Sequence, residues 1–232
     1  MNNNIKSKGG IISMENYSEN NIIEIGGKIA NEPKLSHEIY DEKFYRFEIE
    51  TKRLSDISDI LPVIISERLI DIKSLEIGKI VHIKGQIRSY NKQTETKSKL
   101  VLSIFAKEIE FSDDESILTL NDTNFNGFLC KAPIYRITPL GREIADILIA
   151  VNRSYKKSDY IPCILWGRNA KFCSKLPVGE NVKITGRIQS RKYEKTLEDG
   201  TVREMVAYEL SVSKFSVVRN QNGLTDGGAF TE

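Results

Sequence analysis

The 232-residue chain is 40% hydrophobic and 28% charged and carries a formal net charge of +2. That is the balance of an ordinary globular protein, long enough for one large or two small domains. No apolar run approaches the roughly 18 residues of a membrane-spanning helix, so no membrane partner is expected. The first twenty residues, "MNNNIKSKGGIISMENYSEN", lack an apolar stretch of signal-peptide length, which points to the cytoplasm. Asn, Ser, Lys and Gly dominate them, and residues 1–20 read as a mobile arm.

Beyond the arm the same signals occur twice, and the repeat organises the chain. "GGKIANEP" (26–33) lies against "NGFLCKAP" (126–133), with Gly27 and Pro33 matching Gly127 and Pro133. "KFYRFEIET" (43–51) and "EIADILIAV" (143–151) are rich in strand formers. "ILPVII" (60–65) lies against "YIPCIL" (160–165), pairing Pro62 with Pro162. Proline inside a strand removes a ladder donor, so this third strand is expected at an edge or a bulge. A short helix is expected next, over "SERLIDIKSL" (66–75) and "GRNAKFCSKL" (167–176). "IGKIVHIKGQIRS" (77–89) lies against "VGENVKITGRIQS" (178–190), where Gly85 and Gly186 suggest a bulge or a barrel corner. The Asp-Gly turn in "LEDGT" (197–201) makes residues 186–218 one long hairpin. Five strands with a short helix between the third and fourth is the layout of the OB-fold, a Greek-key barrel. The expected architecture is therefore all-β, with tandem OB-folds over residues 21–120 and 121–219 and a flexible tail over 220–232.

Chemistry is sparse along this frame. Cys130, Cys163 and Cys173 show no CxxC pairing, so neither a disulfide framework nor a metal site is expected. His37 and His82 stand far apart, outside any ligand or triad spacing. Walker loop, nucleophile elbow, HExxH and clustered carboxylates are all missing from the sequence. No catalytic residue and no cofactor is assigned, and the reading is of a protein that is not an enzyme.

One stretch stands out. "AVNRSYKKSDYIPCILWG" (150–167) strings Tyr155, Tyr160 and the sole tryptophan, Trp166, among Arg153, Lys156 and Lys157. The plain reading is a core strand behind a charged turn. The alternative is a platform on which bases stack while cations hold phosphates. Charge favours the second: residues 121–219 hold 17 Lys+Arg against 10 Asp+Glu, whereas residues 1–120 hold 17 against 20. A near-neutral chain thus hides one basic half.

Residues 124–218 resemble the bacterial single-stranded DNA-binding protein (SSB) family. "GFLCKAPIYRITPLGREIADILIAVNRSY" (127–155) is similar to that family's opening, and "DYIPCILWGRNAKF" (159–172) follows its strand-to-helix pattern. "VGENVKITGRIQSRKYEKTLEDGTVRE" (178–204) matches the hairpin GxxVxVxGRIQxRxYxxxDGxxR. The resemblance implies stacking aromatics at Tyr155, Tyr160, Trp166 and Tyr193, with Arg153, Lys156, Lys157, Arg187, Arg191 and Lys192 tracking phosphates. It implies sequence-independent binding of single-stranded DNA in replication, recombination or repair, and a nucleoid-associated place in the cytoplasm. It also implies an assembly of four OB-folds, here a homodimer, with replication or recombination proteins as candidate partners.

The first copy departs from the pattern. Ile60 and Ser66 stand where Tyr160 and Trp166 would be, and Tyr90 is two residues out of register with Tyr193. Residues 21–120 are therefore expected to serve structure or assembly, and Tyr90, without aromatic or cationic sequence neighbours of that kind, to add little. The C-terminus, "RNQNGLTDGGAFTE", lacks the family's acidic, proline-containing tip. An accessory OB-fold protein of a primosome or recombination complex stays open as the alternative, as does single-stranded RNA as a ligand.

Overall fold

The computed structural model describes residues 20–55, 57–93, 98–154, 157–196 and 200–218. The expected arm and tail, the tip of the 197–201 turn, and the candidate site residues Tyr155 and Lys156 lie outside the described residues.

The first copy comprises β1 (Asn21–Ile29), β2 (Lys34–Ile39), β3 (Glu42–Lys52), β4 (Ser58–Ser66), β5 (Ile80–Gln93) and β6 (Ser98–Ser112). The second comprises β7 (Asn121–Leu129), β8 (Ile134–Ile137), β9 (Glu143–Arg153), β10 (Lys157–Trp166), α1 (Gly167–Cys173), β11 (Asn181–Thr196) and β12 (Val202–Val217). In each copy five strands close a ring. The order β1-β3-β4-β6-β5 returns to β1 through the β5–β1 pairing, and β7-β9-β10-β12-β11 returns to β7 through β11–β7. The single parallel contact of each barrel, β4 with β6 and β10 with β12, completes the Greek key. These are two tandem OB-folds. The short strands β2 and β8 are additions, hydrogen-bonded to the outer edges of β3 and β9.

Alternation along the strands fills each barrel. Ile23, Ile25, Phe47, Ile49, Val81, Ile83 and Ile104 are buried in the first, and Ile149, Ile161, Leu165, Val182, Ile184 and Leu210 in the second. Each such side chain contributes about 1.5–3 kcal/mol of burial. Cys163 and Cys173 belong to this core, and burial pushes both thiols up, Cys173 to about 11. Gly85 and Gly186 sit at matched register shifts in β5 and β11. A Cβ there would lie 2.2 Å from the Phe105 carbonyl oxygen and 2.3 Å from that of Ser211. Only glycine lets the neighbouring strand cross so closely.

One expectation changes in detail. The first copy has no α-helix after β4, only a three-residue 3-10 turn at Ile72–Ser74 capped by the Asp71 side chain. In the second copy Gly167 (φ +53°) turns the chain into α1 directly after Trp166. The aligned Glu67 does not take that left-handed conformation. The prolines lie on a locally open edge with no bulge: β4 pairs with β3 without interruption from Ser58 to Ser66, and the β6 side is unpaired at Pro62. Opposite Pro62, the Glu48 N–H and C=O both engage the β1 side, at Asn31 and Ala30. The missing proline donor therefore faces β6, and the ladder to that strand covers only Val63 and Ile64.

The two barrels are fused into one 12-stranded sheet. β1 and β7 pair antiparallel, with Ile23 opposite Thr123, Asn21 opposite Phe125 and Ile25 opposite Asn121. Since Asn121 is the repeat of Asn21, this register is that of a local two-fold axis through Ile23 and Thr123. The same near-symmetry governs two buried carboxylates. Asp59 Oδ1 accepts the backbone N–H of Ser190 from the other copy (2.7 Å), and Asp159 Oδ1 accepts that of Ser89 (2.7 Å). Arg53 grips Asp59 through two hydrogen bonds (2.7 and 2.8 Å) and reaches the Ser190 carbonyl oxygen. Arg88 of the first copy pairs with Asp159 (3.1 Å), while Arg153 lies 3.7 Å from it.

Burial alone would push the Asp59 carboxyl up, but the hydrogen bonds from Arg53 and Ser190 hold it below the ordinary 3.8. A folded value below the unfolded one adds stability that is fully present above about pH 4. It is lost as pH falls through the folded value. Asp59→Ala is expected to cost about 3–5 kcal/mol of unfolding free energy near neutral pH, because it strands Arg53 and the Ser190 N–H. Urea titrations check this, and Asp59→Asn should remove part of the decline in stability expected as pH falls below about 4. An Asp59→Ala chain as stable as the wild type would refute the role given to this carboxylate.

Candidate functional site

The strands β9, β10, β12 and β11 present one outward face of the second copy. Along β10 the residues of that face are Tyr160, Pro162, Ile164 and Trp166, since Asp159, Ile161, Cys163 and Leu165 point inward. The parallel register sets Ile164 beside Ser211, and the hairpin register sets Ser211 opposite Arg187, Glu209 opposite Gln189, Ala207 opposite Arg191 and Met205 opposite Tyr193. Tyr160, Trp166, Tyr193, Arg187 and Arg191 therefore share one surface. None of the three aromatics is core: Tyr160 is 43% exposed, Trp166 39%, and Tyr193 is half-buried.

The local contacts orient them. The Trp166 indole N–H donates to Ser211 Oγ (3.3 Å), tethering the ring edge to β12. The Tyr160 backbone N–H donates to Ser89 Oγ of the first copy (2.7 Å), which ties the start of this face to the junction. The Arg191 guanidinium lies over the Tyr193 ring, 5.7 Å from its centroid, and 3.6 Å from Glu209 Oε2. Gln189 donates to the other oxygen of Glu209 (3.0 Å). Arg187 is half-buried, and burial followed by the nearby Arg53 lowers its pKa. A basic and aromatic face thus has a carboxylate at its centre.

The remaining predicted cations lie elsewhere. Arg153 and Lys157 oppose each other across the β9–β10 ladder, on the parity of Asp159 and not of Tyr160. Arg153 is turned towards that buried carboxylate. Lys192 points to the reverse side of β11, where it pairs with Glu204 (3.0 Å). Sequence reasoning missed Glu209, which carries no motif, and gave no role to Gln189, although it stands inside the hairpin pattern GRIQxRxY. It also missed the carboxylate that holds Arg153. The repeat offered a signal there: Arg53 and Asp59 recur exactly 100 residues on as Arg153 and Asp159, a pairing more expected of a shared scaffold than of one functional face.

The equivalent face of the first copy carries Ile60, Pro62, Ile64 and Ser66 on β4, with Gln86, Arg88 and Tyr90 on β5 and Phe105 on β6. Arg88 is committed to Asp159 and Gln86. Tyr90, however, is not isolated. It is 46% exposed and lines a cleft of about 540 Å³ at the junction of the copies, together with Arg46 and Lys99 of the first and Arg191, Tyr193 and Glu209 of the second. Among the described residues no group of three or more His, Cys, Asp or Glu is placed to hold a metal ion, and no helix is long and apolar enough to cross a membrane.

Fold and face together define a tandem OB-fold protein with an aromatic, basic surface on its second barrel. Residues 120–217 match the profile of the family described as "Single-strand binding protein family". The single-stranded DNA-binding protein B of Bacillus subtilis (strain 168) is 38% identical over 84 residues, which cover 32% of this chain and 72% of that protein. The single-stranded DNA-binding protein of Oceanobacillus iheyensis is 32% identical over 123 residues, 49% of this chain and 74% of that one. The chain belongs to the single-strand binding protein family. The crystal structure of the wild-type single-stranded DNA binding protein from Thermus aquaticus superposes with a TM-score of 0.70 at 16% identity. That similarity covers 90% of this chain and 96% of the other, a likeness of fold across both barrels.

Proposed function

We propose that the chain binds single-stranded DNA independently of sequence, in replication, recombination or repair. The observation that carries this reading is the shared outward face of Tyr160, Trp166, Tyr193, Arg187 and Arg191. Every base offers a π-face, so exposed aromatics bind a strand without reading it, each contributing about 1–3 kcal/mol. Tyr155 and Lys156 are carried in the reading on the sequence resemblance alone. Of the predicted cations, Arg187 and Arg191 have the position for phosphate contact, while Arg153, Lys157 and Lys192 lie off the face and could meet phosphate only where the strand leaves it. Residues 121–219 are the binding copy, and residues 21–120 chiefly the scaffold that positions it. The activity is binding without catalysis, and DNA binding would place the protein with the nucleoid.

Trp166 is the sole tryptophan, so oligo(dT) should quench the intrinsic fluorescence. Affinity should fall with added salt as counterions are released and should exceed that for duplex. Trp166→Ala and Tyr193→Ala should each cost about 1–3 kcal/mol of binding, measured by anisotropy of a labelled oligonucleotide. Equal affinity for duplex and single strand would sink the reading.

Glu209 opposes this function locally, since it occupies Arg191 and places a negative charge where phosphates pass. Glu209→Gln keeps the shape and the contact to Gln189. It should tighten oligo(dT) binding and steepen the log–log salt dependence by about one unit. Weaker binding in that variant would show instead that Glu209 is needed to hold Arg191 in place.

We also propose a homodimer, which brings together the four OB-folds that the sequence resemblance implies. Closed two-fold symmetry is the commonest arrangement for such assemblies. Light scattering at micromolar concentration should return twice the 26.4 kDa chain mass, and a monomer would overturn the dimer. Replication or recombination proteins are the candidate partners of such an assembly.

A further inference from the structure

The cleft at the junction of the copies belongs to neither barrel alone. Its floor is built almost symmetrically, from residues 100–102 of β6 and 206–208 of β12. The parallel registers make these segments equivalent, for Val63 pairs with Ile104 as Cys163 pairs with Leu210. At its rim the symmetry breaks. Tyr90 of the first copy stands where the second copy has Arg191, and each wall thereby supplies what the other lacks: Tyr90 with Arg46 and Lys99 on one side, Tyr193 with Arg191 on the other. Lys99 Nζ donates to the Val206 carbonyl oxygen (3.5 Å), so the walls already touch. Arg46 lies 3.8 Å from Glu48 and its side chain is 41% exposed. The volume, about 540 Å³, lies within the range of small-ligand sites, roughly 300–1,000 Å³. Three phenol rings, three cations against the single carboxylate of Glu209, and a largely apolar floor suit a nucleotide with its phosphate.

We propose that this cleft is a nucleotide site shared by the two copies, through which bound single-stranded DNA leaves the aromatic face of the second barrel and reaches the first. Tyr90 supplies a stacking surface, and Arg46 and Lys99 supply the cations. The first copy is then part of the binding track and not scaffold alone. The occupant follows from continuity: Tyr193 and Arg191 belong both to the outward face of the second copy and to the cleft. The inference rests on the reading of that face as a single-strand surface.

The test uses the full chain and an oligo(dT) carrying 5-iodouracil, irradiated in complex and mapped by peptide mass spectrometry. A cross-link at Tyr90 supports the shared site; cross-links confined to residues 121–217 overturn it. In parallel, Tyr90→Ala should weaken binding of the unmodified oligonucleotide about five- to a hundredfold, as loss of one stacked base does. Tyr90→Phe should bind as the wild type does. Saturating Trp166 quenching should be unchanged in both, which reports that the second face is intact. Wild-type affinity in Tyr90→Ala overturns the shared site alone, whereas a wild-type chain that ignores oligo(dT) overturns the single-strand reading with it.

Discussion

The architecture depends on the antiparallel pairing of β1 with β7 and on the two aspartates that lock it. Strand pairing alone leaves two barrels hinged along a ladder. The Asp59–Ser190 and Asp159–Ser89 contacts bind the hairpin of each copy to the third barrel strand of the other, so rotation about the ladder would break both. Buried carboxylates are costly unless fully paired, and here each accepts a backbone N–H and an arginine. Such groups define a single geometry more strictly than apolar contact does. The face bearing Tyr160 begins at one of these locks, through the bond from its backbone N–H to Ser89, and inherits that precision.

The face itself balances attraction and restraint. Cations attract phosphate at a distance set by screening, about 8–10 Å in ordinary buffers, and stacking adds energy only once a base is in contact. Glu209 works against the first without touching the second. On the proposed reading, a surface composed this way would let salt and local charge set the affinity while the rings keep the strand in place.

The repeat in the sequence made the barrels legible, because periodic strand formers and matched glycines report local geometry directly. Gly85 and Gly186 mark the crossings they were expected to mark. The aromatics were legible because they are few and their parity along β10 follows from a period of two. Partnership between distant side chains was not. Only the recurrence of Arg53 and Asp59 as Arg153 and Asp159 hinted that Arg153 turns towards a carboxylate, and nothing near Tyr90 announces Arg191 and Tyr193 across the cleft. The two-residue turn of the β2–β3 hairpin was equally hidden, since Tyr40 and Asp41 take positive φ without the usual glycine or asparagine. The helix expected after β4 failed for a backbone reason, because Glu67 replaces the glycine that launches its counterpart.

Between β6 and β7 lie only residues 113–120, wound into a 3-10 turn over Glu115–Thr119, with Leu118 buried and its carbonyl oxygen accepting from the Thr51 hydroxyl. A tether that short and that well anchored makes the pairing of the barrels intramolecular, with an effective concentration no free subunit reaches. Dilution cannot separate them. Two identical subunits meeting about an axis must also carry identical faces, whereas covalent joining removes that obligation. The link at 113–120 is thus what permits one barrel to carry isoleucine and serine where its neighbour keeps tyrosine and tryptophan, and gives the pair a distinct front and back.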